Sequence, residues 1–86
     1  MAYNYLLGKR CVEILKYILY LDSYVKINEL SSHFNASRRS IYYDISKINE
    51  WLTSNTLSPL LLDRSKGVML KSSDVLSIQN LLALDQ

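Results

Sequence analysis

Apolar residues recur along this chain at spacings of three and four in four stretches, with short β-prone runs between them. Cys11, Ile14, Leu15, Ile18 and Leu19 share one face of a helix predicted over 8–21, while Lys9, Arg10, Glu13 and Lys16 lie off it. Asp22 and Ser23 end that run. Residues 24–27, Tyr-Val-Lys-Ile, predict a brief strand. Asn28 is then placed as an N-cap, because its side-chain oxygen can accept from a free amide of the next turn, and Glu29 suits the positive end of a helix. A short helix follows over 29–34, with Leu30 and Phe34 inward. Asn35 and Ala36 form a tight connection, since Asn tolerates the left-handed backbone that a sharp exit from a helix requires. Ser37 caps a third helix, and Ala36 with Ile41 can staple its entry. Ile41, Ile45, Ile48 and Leu52 form its core stripe as far as Thr53. Beyond a loop over 54–59, residues 60–62 and 68–70 read as two strands around Asp63-Arg64-Ser65-Lys66-Gly67, where the glycine supplies positive φ. Asp74 is placed as the cap of a last helix over 75–84.

The order predicts a mostly α protein with a small β-hairpin, a winged helix-turn-helix. Its 86 residues make one domain over 1–86, with the helix-turn-helix at about 28–53, the wing at about 60–71 and the C-terminal helix at about 74–84.

Composition narrows the function classes. Apolar residues make up 49% of the chain, enough for a small core and no more. The lone Cys11 forms no internal disulfide and reads as a small buried thiol, so a cytoplasmic setting is expected. No apolar run is long enough to cross a bilayer, and residues 1–7 lack the basic region of a signal peptide, so no membrane is expected. Catalysis finds no motif: there is no Gly-rich phosphate loop, no nucleophile signature and no acid pair at a useful spacing. The chain reads as no enzyme and as taking no cofactor. His33 is the only histidine and has no Cys near it, so no metal site is expected; it is placed at the surface or rim. Trp51 is placed in the core.

The net charge of +2 favours no partner by itself, so the placement of charge has to decide. The third helix opens Ser37-Arg38-Arg39-Ser40, and basic residues at a helix N-terminus oppose the helix dipole. They have no local stabilising reason there. In helix-turn-helix docking the second helix of the pair enters the major groove and its first residues reach base edges, where Arg donates twice to guanine or anchors to phosphate. Removing the core stripe from the helix over 38–53 leaves Arg38, Arg39, Ser40, Tyr42, Tyr43, Ser46 and Lys47 as the expected duplex-facing set. Adjacent tyrosines point about 100° apart, so one of the two can equally rest on the second helix as core rim. Ser40 can be a plain helix residue. Asp44 is assigned a structural role among Ser40 and Lys47, since a carboxylate facing phosphates would repel. Arg64 and Lys66 at the hairpin tip read either as ordinary turn charges or as wing contacts to the DNA backbone. Asn28 and Ser37, at helix starts, are placed as phosphate contacts.

The block Ser37-Arg-Arg-Ser-Ile-Tyr-Tyr-Asp-Ile-Ser-Lys-Ile-Asn-Glu-Trp-Leu52 resembles the recognition helix of the N-terminal domain of bacterial sugar-operon regulators. These are the transcription activators carrying phosphotransferase regulation domains, and the related Mga-like virulence regulators share the domain. The likeness runs from the first helix through Gly67-Val68-Met69-Leu70, and Val68 stands where that family often has an aromatic residue. The resemblance implies double-stranded DNA as partner and transcription control as function, with Arg38, Arg39, Ser40, Tyr42 and Tyr43 facing the groove. It also implies that regulatory domains follow such a domain.

The competing reading is a winged-helix protein-interaction module without DNA binding, since fold alone does not settle function. Binding to structured RNA is the weakest of the three. In the end helix, Val75, Leu76, Ile78, Leu81, Leu82 and Leu84 spread beyond one face. One face is expected on the first helix, and the remainder on a second copy or a regulatory domain. The chain is accordingly expected to be a fragment that forms a homodimer or joins further domains through that helix.

Overall fold

The computed structural model describes residues 7–21 and 23–84. The expectations for residues 1–6 and Asp22, and that for the side chain of Leu84, lie outside the described residues.

Helix α1 spans Lys9–Leu21, α2 Ile27–His33 and α3 Arg38–Ser54. Strands β1 (Leu61–Asp63) and β2 (Gly67–Met69) form an antiparallel hairpin, and a 3-10 turn at Ser72–Asp74 leads into α4, Val75–Leu84. This is the expected mostly helical architecture with a hairpin, a winged helix-turn-helix.

The core is one cluster. Cys11, Ile14, Leu15 and Ile18 of α1 meet Leu30 of α2, the α3 stripe of Ile41, Ile45, Ile48 and Leu52, and Ile78 and Leu82 of α4. Trp51 joins it, as expected. The period that predicted these helices is the period that buries them, because one side of each must leave water together. A tie between the first two helices lies at their rim. Tyr17 stacks on His33 with ring centroids 4.3 Å apart, and its hydroxyl donates to Glu29 at 2.7 Å. Accepting that proton into a carboxylate bond raises the Tyr17 pKa.

Three local expectations are corrected. The segment over 24–27 is no strand: Val25 alone makes an antiparallel bridge to Val68, with reciprocal backbone bonds of 2.8 and 2.9 Å. Ile27 instead opens α2, since burying its side chain beside Leu30 outweighs a β-branched preference for extended backbone. Consequently Asn28 is not the N-cap. Lys26 holds that position with extended φ and ψ and without a side-chain cap bond, and Asn28 is the second helical residue. Asp74 precedes α4, but its carboxylate accepts from the Ser58 amide at 3.0 Å, so it ties the start of α4 to the loop before the hairpin.

Candidate nucleic-acid interface

The turn between α2 and α3 fixes where the outward face of α3 points. Asn35 takes φ +52°, the left-handed backbone its residue type tolerates. The Ala36 amide donates to the Ser31 carbonyl at 3.0 Å, and the Ser31 hydroxyl donates to the Ala36 carbonyl, closing the turn twice. Ser37 is the N-cap of α3: its hydroxyl oxygen accepts from the Ser40 amide at 3.1 Å and its hydroxyl donates to the Ser40 hydroxyl at 3.0 Å.

Burial then sorts α3 into two faces. Ile41, Asp44, Ile45, Ile48, Trp51 and Leu52 are buried. Arg38, Arg39, Tyr42, Tyr43 and Ser46 are exposed, with Tyr42 44% and Tyr43 62% accessible. Both tyrosines therefore face water, and neither serves as sealed core rim. Ser40 is half-buried against its cap. Lys47 is half-buried as well, its ammonium 5.3 Å from the centre of the Tyr43 ring. A cation on an aromatic face is attracted by the ring quadrupole, so the pair stiffens the outer side of the helix.

Asp44 is 5% exposed and is the buried charged residue among those described. Its partner is neither Ser40 nor Lys47 but Arg10 on α1, whose Nε donates to the carboxylate. That bond raises the Arg10 pKa. Its role is structural, as expected, and it clamps α3 to α1. Beside it the Cys11 thiol is pushed up to about 11, first by burial and then by the nearby Asp44 charge. It is consequently no nucleophile at neutral pH.

The hairpin is set against the start of α2 and α3. Asn49 of α3 accepts from the Leu60 amide at 2.8 Å and holds the strand entry. At the tip, Asp63 Oδ1 accepts from the amides of Ser65 and Lys66 at 2.8 and 2.9 Å, and these two bonds lower the Asp63 pKa. Arg64 and Lys66 are both exposed, and Lys66 leans over the Tyr24 ring at 5.5 Å. Between the hairpin and the helices lies an open cleft of about 170 Å³, lined among others by Lys26, Asn28, Arg38, Tyr42, Leu62 and Arg64. The fold thus brings Arg38, Tyr42, Asn28 and Arg64 to one cleft. Arg39, Tyr43, Ser46 and Lys47 lie along α3 outside its lining, and Ser37 and Ser40 bond each other. Lys26 and Leu62 were not singled out from sequence. The sequence places each of them only in a strand, Lys26 in the run over 24–27 and Leu62 in that over 60–62; the packing shows both at a cleft.

A helix, a tight turn, a second helix with a basic exposed face and a hairpin beside it define a winged helix-turn-helix protein of the kind that binds DNA. The profile of a family described as an HTH (helix-turn-helix) domain matches residues 12–69, the greater part of the chain, and the chain belongs to that family. It is a DNA-binding domain of transcription regulation. No curated protein and no solved structure matches it. Among the described residues no cluster of His, Cys, Asp and Glu is able to hold a metal ion, and no helix is long and apolar enough to cross a membrane.

Proposed function

We propose that this chain binds duplex DNA sequence-specifically in a bacterial transcriptional regulator, with α3 in the major groove. One observation carries the reading: Arg38, Arg39, Tyr42 and Tyr43 stand together on the exposed face of α3 immediately after the turn of a helix-turn-helix. Arg38 and Arg39 read bases or fix register, and the tyrosines pack on sugars or thymine methyl groups with their hydroxyls toward phosphates. Ser46 and Lys47 extend the contact along the helix, and Ser40 with Ser37 shapes its entry. Arg64 and Lys66 meet the flanking backbone. The domain extends over 1–86 and belongs to a regulator of the Mga-like or phosphotransferase-regulation-domain type; the basic opening of α3 and its adjacent tyrosines support that assignment.

The test is a polarisation titration against a pool of random duplexes, followed by sequencing of the bound fraction. An enriched motif, and affinity that falls steeply as salt rises, are expected. In the variant R38A/R39A the enrichment disappears, because each base-reading arginine supplies about 1–3 kcal/mol of discrimination. Circular dichroism of the variant stays like the wild type. Near wild-type affinity and enrichment in that variant would remove α3 from the groove.

A further inference from the structure

The backbone bonds of the hairpin fix which way its outer strand faces. Val68 spends both its amide and its carbonyl on Val25, at 2.9 and 2.8 Å. A strand residue points both groups to one side, so Val68 turns neither toward β1. Leu62 stands opposite Val68 in the register and makes a non-hydrogen-bonded pair with it. The N–H and C=O of Leu62 therefore point away from β2, off the sheet. Among the described residues no strand covers that edge, since Val25 bridges β2 on its other side. The edge is closed off at Leu60, whose amide donates to the Asn49 side chain at 2.8 Å.

An open strand edge is a template for another extended segment, and charged side chains, prolines or bulges commonly blunt it. Here the residues at the free groups are leucines on opposite faces, Leu61 41% and Leu62 62% exposed. The surroundings specify the chemistry of an added strand. Beside Leu62 lie Tyr42 and three cations, Lys26, Arg38 and Arg64, against one carboxylate, Asp63. Asp63 Oδ1 already accepts from the amides of Ser65 and Lys66. A second copy of β1 fits this edge less well, because it brings its own Arg64 and Lys66 to a surface that is positive on balance. A strand that alternates acidic and apolar residues fits it on both faces.

We propose that the outer edge of β1 takes up an extended, acidic protein segment as a further strand. Its backbone bonds Leu62, its carboxylates turn toward Lys26, Arg38 and Arg64, and its apolar side chains lie on the face of Leu61. A bound segment covers Arg38 and Tyr42, so segment and duplex exclude one another. That consequence rests on the DNA-binding reading of α3; the docking itself does not.

The full chain is titrated by fluorescence polarisation with a labelled peptide of about eight alternating glutamate and valine residues, the length of an ordinary strand. Residues paired across a ladder share a face, so the residue that bonds Leu62 is a glutamate. N-methylation of the glutamate amides is expected to weaken binding about fivefold or more, since a backbone donor is lost. N-methylation of the valine amides, which point away from β1, leaves the affinity as it was. The same peptide with lysine for glutamate does not bind, and binding of the glutamate peptide weakens as KCl is raised. Leu62→Pro removes the edge amide without breaking a ladder bond and is expected to cost about fivefold as well. Thermal unfolding is followed in parallel; should that variant unfold, the two methylated peptides on the wild-type protein decide. Equal affinities for the two methylated peptides, equal binding of the lysine peptide, or no binding of the glutamate peptide overturns the proposal. So does self-association of the free protein in sedimentation velocity that Leu62→Pro abolishes, which would assign the edge to a second copy. Duplex is absent from every arm, so failure of the α3 reading is registered separately by its own titration.

Discussion

Single residues divide into those whose neighbours are close in sequence and those whose neighbours are not. The role of Ser37 as a cap is legible in the sequence, because capping is settled within three residues, and its hydroxyl oxygen accepts from the Ser40 amide. Asp44 was legible only in part. Its exclusion from the duplex face held, but its partner Arg10 is 34 residues away and local spacing offered Ser40 and Lys47 instead. Arg10→Ala is expected to destabilise the fold by about 1–3 kcal/mol, since it strands a buried carboxylate. The value lies below that of a fully buried pair because the Arg10 side chain is itself 44% exposed. Urea unfolding measures it; an unchanged midpoint would mean that the carboxylate finds another partner. Gly67 is the second informative residue. It was read as a turn glycine, and it has φ +107°, but a Cβ there would also stand 2.0 Å from the Val25 carbonyl oxygen. Gly67→Ala therefore combines a strained backbone with a backbone clash and is expected to cost at least about 2 kcal/mol. Stability close to wild type would mean that the Val25–Val68 bridge yields easily.

At the scale of elements, long periodic segments were legible and short ones were not. The stripe of Ile41, Ile45, Ile48 and Leu52 is buried as its spacing dictates. Ile45→Asp places an unpaired carboxylate in the middle of it, and a loss of several kcal/mol, comparable to the whole stability of a small domain, is expected. A cooperative thermal transition like that of the wild type would contradict the burial. The run over 24–27 was misread because four residues contain no period: Val25 finds a bridge partner and Ile27 is taken by α2. The hairpin tip was legible as a turn, though not its acid dependence. Asp63 has its pKa lowered by two backbone donors, so its contribution is present at neutral pH and above the ordinary carboxylate range, and is lost as pH falls through the lowered value. Asp63→Ala removes the acceptor at every pH. Faster hydrogen exchange at the Ser65 and Lys66 amides is expected at neutral pH, with the amides of α3 unchanged. Equal protection in the variant would show that the turn holds by backbone geometry alone.

The whole molecule sets the scale of the site it can read. One recognition helix covers a few base pairs, too few to select an operator in a genome, and helix-turn-helix proteins meet this by pairing over half-sites about 34 Å apart. The described Cα trace extends 31 Å along its longest axis, no more than that spacing, so one copy spans a single half-site. Among the described residues, α4 exposes one large apolar side chain, Leu76. Ile78 and Leu82 are consumed by the core, while Leu76 is 68% exposed on another side of the same helix. An apolar side chain there gains by meeting its copy, since removing apolar area from water is the main drive for association. We therefore expect the chain to bind a single half-site weakly and to bind a two-half-site duplex as a pair, with α4 at the contact. Sedimentation velocity with each duplex measures the stoichiometry. Leu76→Glu is expected to leave half-site binding intact and to abolish the two-to-one complex, because like charges would then oppose across the pair. A protein that remains monomeric on the longer duplex, or that binds one half-site in the nanomolar range, would show that one copy suffices.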